Sequence, residues 1–236
     1  MCGRFALALK RKALEALLGA PLEGPFEARY NIAPASPVLA FGRSDGPAGF
    51  LHARWGLWPS WVRDPANFTQ IINARIETVL EKPSFRSAVR HRRWLVPASG
   101  FFEWKRDQKP PQPWFASPAS GEPVALAALG ETWTGPDGEC VDTLALMTQP
   151  AVGALAEIHH RQPVAVRPED FAAWLDTGSV PAEKALDLLS QPDPLFWQAH
   201  PVSRAVNGAG NDHPGLTEAV EDDAALPPPV SQLSLF

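Results

Sequence analysis

The apolar residues of this chain come in short, turn-bounded runs, and that pattern limits the architectures open to it. Val38–Phe41, Leu51–Trp58, Trp94–Val96, Phe101–Lys105, Val124–Leu129 and Val141–Thr148 are rich in β-branched or aromatic residues, which predicts strands. Helical spacing is rarer. Residues 10–20, KRKALEALLGA, place apolar positions one turn apart and stop on a Gly. Helices are also expected at Ala151–Ile158, Pro168–Leu175 and Pro181–Leu189, two of them opening on Pro, which a first helical turn tolerates. Regular strand–helix–strand alternation is absent, which argues against a doubly wound sheet. The expected fold is α+β: a single domain around a mixed or barrel-like sheet with peripheral helices.

With 236 residues there is enough chain for one large domain or two small ones. Its apolar stretches are broken by charges or Pro, so no membrane span is expected. The Lys10-Arg11-Lys12 cluster follows the first apolar run, the reverse of a signal peptide's order. Two cysteines far apart make no disulfide framework, and a reducing cytoplasm is the expected compartment. The net charge of −5 is unevenly spread. All 21 Lys and Arg lie at or before Arg204, while Asp212, Glu218, Glu221, Asp222 and Asp223 follow it. Setting those five acids aside leaves 21 acidic against 21 basic residues, so the body is formally neutral and can still hold a basic groove.

The second residue is a cysteine. If Met1 is trimmed, as expected before so small a side chain, Cys2 carries a free α-amine and a thiol on adjacent carbons. Both have reactive fractions near neutral pH. An aldehyde meeting this pair can form a Schiff base with the amine and then close onto sulfur as a five-membered thiazolidine. On base rates alone, a buried small apolar residue is the commoner role for such a cysteine.

Dense polar-aromatic segments decide between these readings: MCGRF at the start, RYNIAP from Arg29, RWGLWPSW from Arg54, NARIET from Asn73, RWLVPASGFFEW from Arg93 and IHHRQP from Ile158. Together and in this order they resemble the SRAP family, the SOS-response-associated peptidases, from Cys2 to about Asp212. That resemblance implies a sensor and covalent shield of abasic sites in single-stranded DNA, with some β-elimination lyase activity and no cofactor or metal. It implies Cys2 as nucleophile, Asn73 as the amide that holds the reacting centre, and Glu103 and His159 as proton-transfer groups. Such roles suit the residue types, since imine formation needs proton uptake and return and an imidazole titrates near neutrality. Departures from the family's pattern fall at Gln162, Phe102 and Ala35-Ser36, and none removes a proposed catalytic group.

Contacts to DNA are expected from Arg4, Arg75 and Arg161, close in sequence to the proposed catalytic residues, with Asn31 and Thr148 touching backbone or sugar. Trp55, Trp58, Trp61 and Trp104 include candidate stacking platforms, worth about 1–3 kcal/mol per stacked base, although core packing is the commoner use of a Trp. Arg86, Arg90, Arg92 and Arg93 read as a solvated charged face. The catalytic domain is therefore expected over residues 2–212. Residues 213–231 read as a disordered, acidic, Pro-rich linker. Gln232-Leu233-Ser234-Leu235-Phe236 resembles the peptide by which bacterial proteins dock on the replicative sliding clamp, with Leu235 and Phe236 filling an apolar pocket and Gln232 at its rim. A monomer is the simplest expectation. Two other classes stay open: a cysteine peptidase with Cys2 as nucleophile and His159 as base, and a non-catalytic single-strand-binding adaptor tethered to the clamp.

Overall fold

The computed structural model describes residues 2–43, 46–107, 109–189 and 192–220. Five strands close a mixed barrel. β3 (Pro37–Gly42) forms a hairpin with β4 (Gly49–Trp55), register Pro37↔Arg54 to Gly42↔Gly49. On its other side β3 meets β6 (Arg93–Ala98) at Phe41↔Leu95. β6 runs antiparallel to β9 (Val124–Thr134), and β9 to β10 (Cys140–Pro150). The ring closes where β10 runs parallel to β4, at Thr143↔Arg54 and Leu144↔Trp55. A second sheet of five strands, in the order β13-β8-β7-β1-β2, leans on the barrel. Its members are β1 (Phe5–Leu7), β2 (Arg29–Ile32), β7 (Gly100–Lys105), β8 (Gln112–Pro118) and β13 (Trp197–Pro201). Only Ser99 separates β6 from β7, so the chain steps directly from barrel to second sheet there.

β10 is long enough to serve several partners in turn. After Leu144 its β4 side is taken over by β5 (Asn73–Arg75), parallel in register Leu146↔Asn73 to Thr148↔Arg75. Its β9 side passes to β11 (Arg161–Pro163), antiparallel at Thr148↔Pro163 to Pro150↔Arg161. A short β12 (Ala165–Val166) then returns to β9. The handover from β4 depends on Gly56, whose φ of 135° turns the chain away while its N–H still donates to the Leu144 carbonyl. For that reason the strand expected over Leu51–Trp58 stops at Trp55.

Helices are peripheral and short. α1 (Arg11–Leu18) buries Leu14 and Leu18 and ends on Gly19, left-handed at φ 65°. α2 (Ala88–His91), α3 (Phe171–Leu175) and α4 (Ala182–Asp187) complete the set. The helix expected at Ala151–Ile158 is a 3-10 turn over Gly153–Glu157. The one expected at Pro168–Leu175 begins as a 3-10 turn, Pro168–Asp170, and continues as α3.

Two sequence expectations need correction. The folded body extends past Asp212: Leu216 is fully buried, Ala219 bridges to Val202, and the Val220 N–H donates to the Pro201 carbonyl. Leu216, a bulky apolar residue eleven positions before the Pro run, is what draws this part of the supposed linker onto the sheet. Residues 221–231 and the peptide 232–236 lie outside the described residues. Arg93, in turn, belongs to no solvated face. It is 1% exposed and donates to the carbonyls of Trp174 (2.6 Å), Val89 (3.2 Å), Asp176 (2.5 Å) and Val180 (2.9 Å). It thereby ties α3 and the loop after it to the barrel. Arg92 is partly buried against Glu131, while Arg86 and Arg90 are exposed. Arg93→Leu should cost about 3–5 kcal/mol in urea unfolding, because those carbonyls lose their donor in a buried site. Arg86→Ala should stay within about 0.5 kcal/mol. Equal effects of the two substitutions would contradict this assignment.

Candidate active site

The amino-terminal segment reaches the site because β1 pairs with β7 at Phe5↔Phe101 and Ala6↔Gly100. The Phe102 N–H then donates to the Arg4 carbonyl, which runs Cys2 alongside the end of β7 that bears Glu103. Cys2 is fully buried. Asn73, first residue of β5, donates from Nδ2 to the Cys2 carbonyl at 2.8 Å. The other amide atom, Asn73 Oδ1, is buried with no hydrogen-bond partner among the described residues. His159, in the bend between the 3-10 turn and β11, places Nδ1 3.7 Å from Glu103 Oε1. The backbone of Arg161 fixes the ring, with its N–H donating to Nδ1 at 3.1 Å. His160 stacks on His159 with centroids 4.3 Å apart and is exposed. The structure thus brings together all four residues singled out for catalysis, from four separate segments.

Burial sets the electrostatics. It pushes the Cys2 thiol far above the usual thiol range; the Glu103 charge adds to this, and the amino-terminal charge and the Arg4 backbone N–H oppose it. It raises the Glu103 carboxyl, with the amino-terminal charge pulling the other way. It lowers the His159 imidazole, against the hydrogen bond to the Arg161 backbone. Carboxyl and imidazole are therefore both displaced toward their neutral forms, a proton donor and a proton acceptor side by side.

The expected DNA contacts divide sharply. Arg4 is half-buried, its Nη1 donating to Asn31 Oδ1 (2.7 Å) and to the Val206 carbonyl (2.8 Å). Asn31 is 2% exposed, and its Nδ2 donates to the carbonyls of Val206, Gly208 and Asn211. Trp104 Nε1 donates to Asn207 Oδ1 at 2.7 Å. These three residues thus fasten the 206–211 segment beside the site. Arg161 is also buried: it grips the Glu77 carboxylate with both terminal nitrogens and donates to the Thr148 carbonyl at 2.6 Å. Thr148, 1% exposed, accepts a longer bond from the same arginine. Asn31, Thr148 and Arg161 are therefore buried supports of the site. Arg75 alone of the set is exposed, and its guanidinium carries no ion pair or hydrogen bond among the described residues. Of the candidate stacking rings, Trp55 is buried, Trp58 packs under Arg54 at 4.4 Å, and Trp61 is 58% exposed, edge-on to Phe68. Sequence reasoning missed Glu77, Asn207 and Asn211. Glu77 sits inside the quoted NARIET segment, but nothing in sequence marks the other two.

A family model, SOS response associated peptidase (SRAP), matches residues 1–209. The chain belongs to the SRAP family. It is 33% identical over 226 residues to the abasic site processing protein YoqW of Bacillus subtilis, covering 93% of this chain and all of the relative. It is also 33% identical over 229 residues to YedK of Escherichia coli, again covering 93% of this chain and 100% of the relative. Mouse HMCES matches at 32% over 192 residues, 68% of this chain and 54% of that protein. Among solved structures, a Bacteroides thetaiotaomicron protein shares the fold at a TM-score of 0.81 and 22% identity, covering 93% of this chain and 100% of that one. A phage-related protein of Bordetella bronchiseptica matches at 0.71 and 27% identity, covering 86% and 95%. The SRAP fold here is the mixed barrel with its second sheet.

Glu103 yields a pH prediction. Its carboxyl is raised in the folded state, so the folded chain holds a proton that the unfolded chain releases first as pH rises. Stability from this group is present at low pH and lost as the pH climbs through and above the usual carboxylate range. Glu103→Gln should therefore raise the melting temperature at pH 8, with the two curves converging near pH 4. His159 works in the opposite sense, losing stability as pH falls below the usual imidazole range. A melting temperature at pH 8 that drops in Glu103→Gln would contradict the burial argument.

Proposed function

We propose that this protein processes abasic sites in single-stranded DNA by joining itself to them through Cys2, as a cytoplasmic monomer that shields the lesion during replication. The observation that carries this reading is the convergence of the Cys2 backbone, held by Asn73, with the Glu103–His159 pair. The names of the Bacillus, Escherichia and mouse relatives, all abasic site processing proteins, support it.

With Met1 removed, the Cys2 α-amine attacks the aldehyde carbon of the ring-opened sugar. The carbinolamine loses water to give an imine. The thiol then adds to the imine carbon, its proton passing to nitrogen, and the thiazolidine closes. Glu103 takes up and returns the protons of carbinolamine formation and breakdown, while His159 exchanges with it during sugar ring opening. The unfilled acceptor Asn73 Oδ1 suits a sugar hydroxyl. Ring closure is intramolecular, where effective molarities reach about 10⁵ M or more, so no external reductant is needed. The intermediate imine also acidifies the neighbouring C–H, which allows β-elimination as a side activity. In this reading the exposed Arg75 holds a flanking phosphate and the exposed Trp61 stacks on a neighbouring base, roles that their exposure supports.

The raised thiol weighs against a peptidase. A peptidase cysteine attacks as a thiolate, stabilised by a nearby imidazolium, and needs its pKa lowered. Here burial and the Glu103 charge act the other way. An amine-first route tolerates a neutral thiol, because sulfur enters only after the imine has formed.

On a denaturing gel with an abasic single-stranded oligonucleotide, the mature protein should give a shifted band without borohydride. Cys2→Ala and an N-terminal tag should each abolish it, and Asn73→Ala should slow it about 10–100-fold, the worth of one buried hydrogen bond of about 1–3 kcal/mol. An undiminished yield from the tagged protein would sink the amine's role.

We further propose that Gln232, Leu233, Leu235 and Phe236 dock on the bacterial sliding clamp, bringing the body to replication forks where such lesions become single-stranded. Deleting 232–236 should weaken clamp binding at least tenfold in a titration while leaving the gel assay unchanged. Equal affinity of the two chains would refute the docking.

A further inference from the structure

A cavity of about 380 Å³ lies among the described residues, and its lining includes none of the four catalytic residues. Its walls are mainly apolar: Leu17 of α1, Val166 of β12, Phe171 of α3, Leu189 and Phe196, with Trp197 at the start of β13. Two glutamines also line it. Gln149 and Gln162 face each other in the β10–β11 register and so project from the same side of that ladder. Gln149 is 5% exposed and turns its carboxamide to the cavity that it lines. Gln162 is 1% exposed and uses only Oε1, accepting from the Val152 N–H, which leaves its NH2 group available. Leu195, 80% exposed between lining residues Asp193 and Phe196, carries the apolar surface outward past the rim.

An apolar slot with a free donor–acceptor pair matches a peptide: apolar side chains for the walls, and a backbone amide for the carboxamide, which has the same complement of one carbonyl and its N–H donors. The chain supplies such a peptide close by. Val220 is held to Pro201, the last residue of β13, and Trp197 is the first. At about 3.3 Å per residue those two ends lie about 13 Å apart. From Val220 to Leu233 an extended chain reaches about 40 Å, ample to return along β13 to the cavity. Leu233 and Leu235, two residues apart, fall on one face of an extended segment, and Phe236 adds a ring.

We propose that residues 233–236 of the chain's own tail seat in this cavity, with Gln149 and Gln162 hydrogen-bonding the tail backbone. A linker this short sets an effective concentration of about 1 mM. An intrinsic affinity of only about 0.1 mM then keeps about nine tails in ten docked. The residues that fill the cavity are those assigned to clamp docking, so the two seats exclude each other. The cavity assignment needs neither clamp nor DNA, and its test uses neither.

Amide hydrogen exchange, read by mass spectrometry, compares the full chain with a Leu235→Asp, Phe236→Asp double variant whose changes lie outside the folded body. Residues 124–126, 165–171 and 195–197 should exchange about tenfold more slowly in the full chain, and that protection should vanish in the variant. Equal exchange in both overturns the proposal. Protection that fades on tenfold dilution gives the seat to a second copy's tail and overturns the intramolecular form. In the reverse direction, Gln149→Ala leaves the apolar walls in place and should speed exchange of residues 231–236 at least threefold. Unchanged tail exchange would remove the carboxamide from the seat.

Discussion

The parallel pairing of β10 with β4 carries two burdens at once. It is the contact that closes the barrel, and it fixes where β5 can continue along the same edge. Because Asn73 opens β5, the amide that holds Cys2 inherits its position from a strand register set two residues earlier on β10. The opposite edge of β10 works the same way, passing from β9 to β11 and bringing His159 in just ahead of Arg161. One strand thus supports two of the four site residues, while the β1–β7 pairing supplies the other two. A site assembled on ladder registers is held more tightly than one on loops, since a slip of one residue would turn every side chain to the other face.

The chemistry of the site follows from its dryness. A carboxyl raised and an imidazole lowered by the same burial are both displaced toward their neutral forms, which sets a proton donor beside a proton acceptor. A thiol raised by that burial is a poor first nucleophile. The three displacements favour one order of events under the proposed reaction, nitrogen before sulfur, and one environment produces all of them.

How much of this was legible in the sequence depends on strand length. β3, β6, β7, β9 and β10 carry enough alternating or continuous apolar residues to announce themselves, and the barrel-like α+β class follows from them. β8, QPWFASP, contains two prolines and reads as a loop; it holds as a strand because β7 and β13 flank it on both sides. β1, β5 and β11 have three residues each, too few for any period to show. Yet these are the strands that carry or adjoin Cys2, Asn73 and His159. The site residues were therefore legible only through their motifs, and convergence itself could come only from the fold. Arg93 misled for a related reason. In sequence it is one of a row of arginines, and only its place at the start of a buried strand makes it a core donor.

The motif arginines show that sequence proximity to a catalytic group does not by itself make a side chain exposed. Arg4 and Arg161 lie within two residues of Cys2 and His159, yet both are spent inside: one holds the 206–211 segment, the other joins Glu77 and Thr148. Committing these two guanidiniums inside the fold lowers the number of motif cations left to neutralise phosphates, and counterion release scales with the number neutralised. Reversible affinity for undamaged DNA should accordingly be modest. Under the proposed function that is an advantage, because retention then depends on a bond that only an aldehyde can make. In that reading undamaged strand is released, and the lesion is kept.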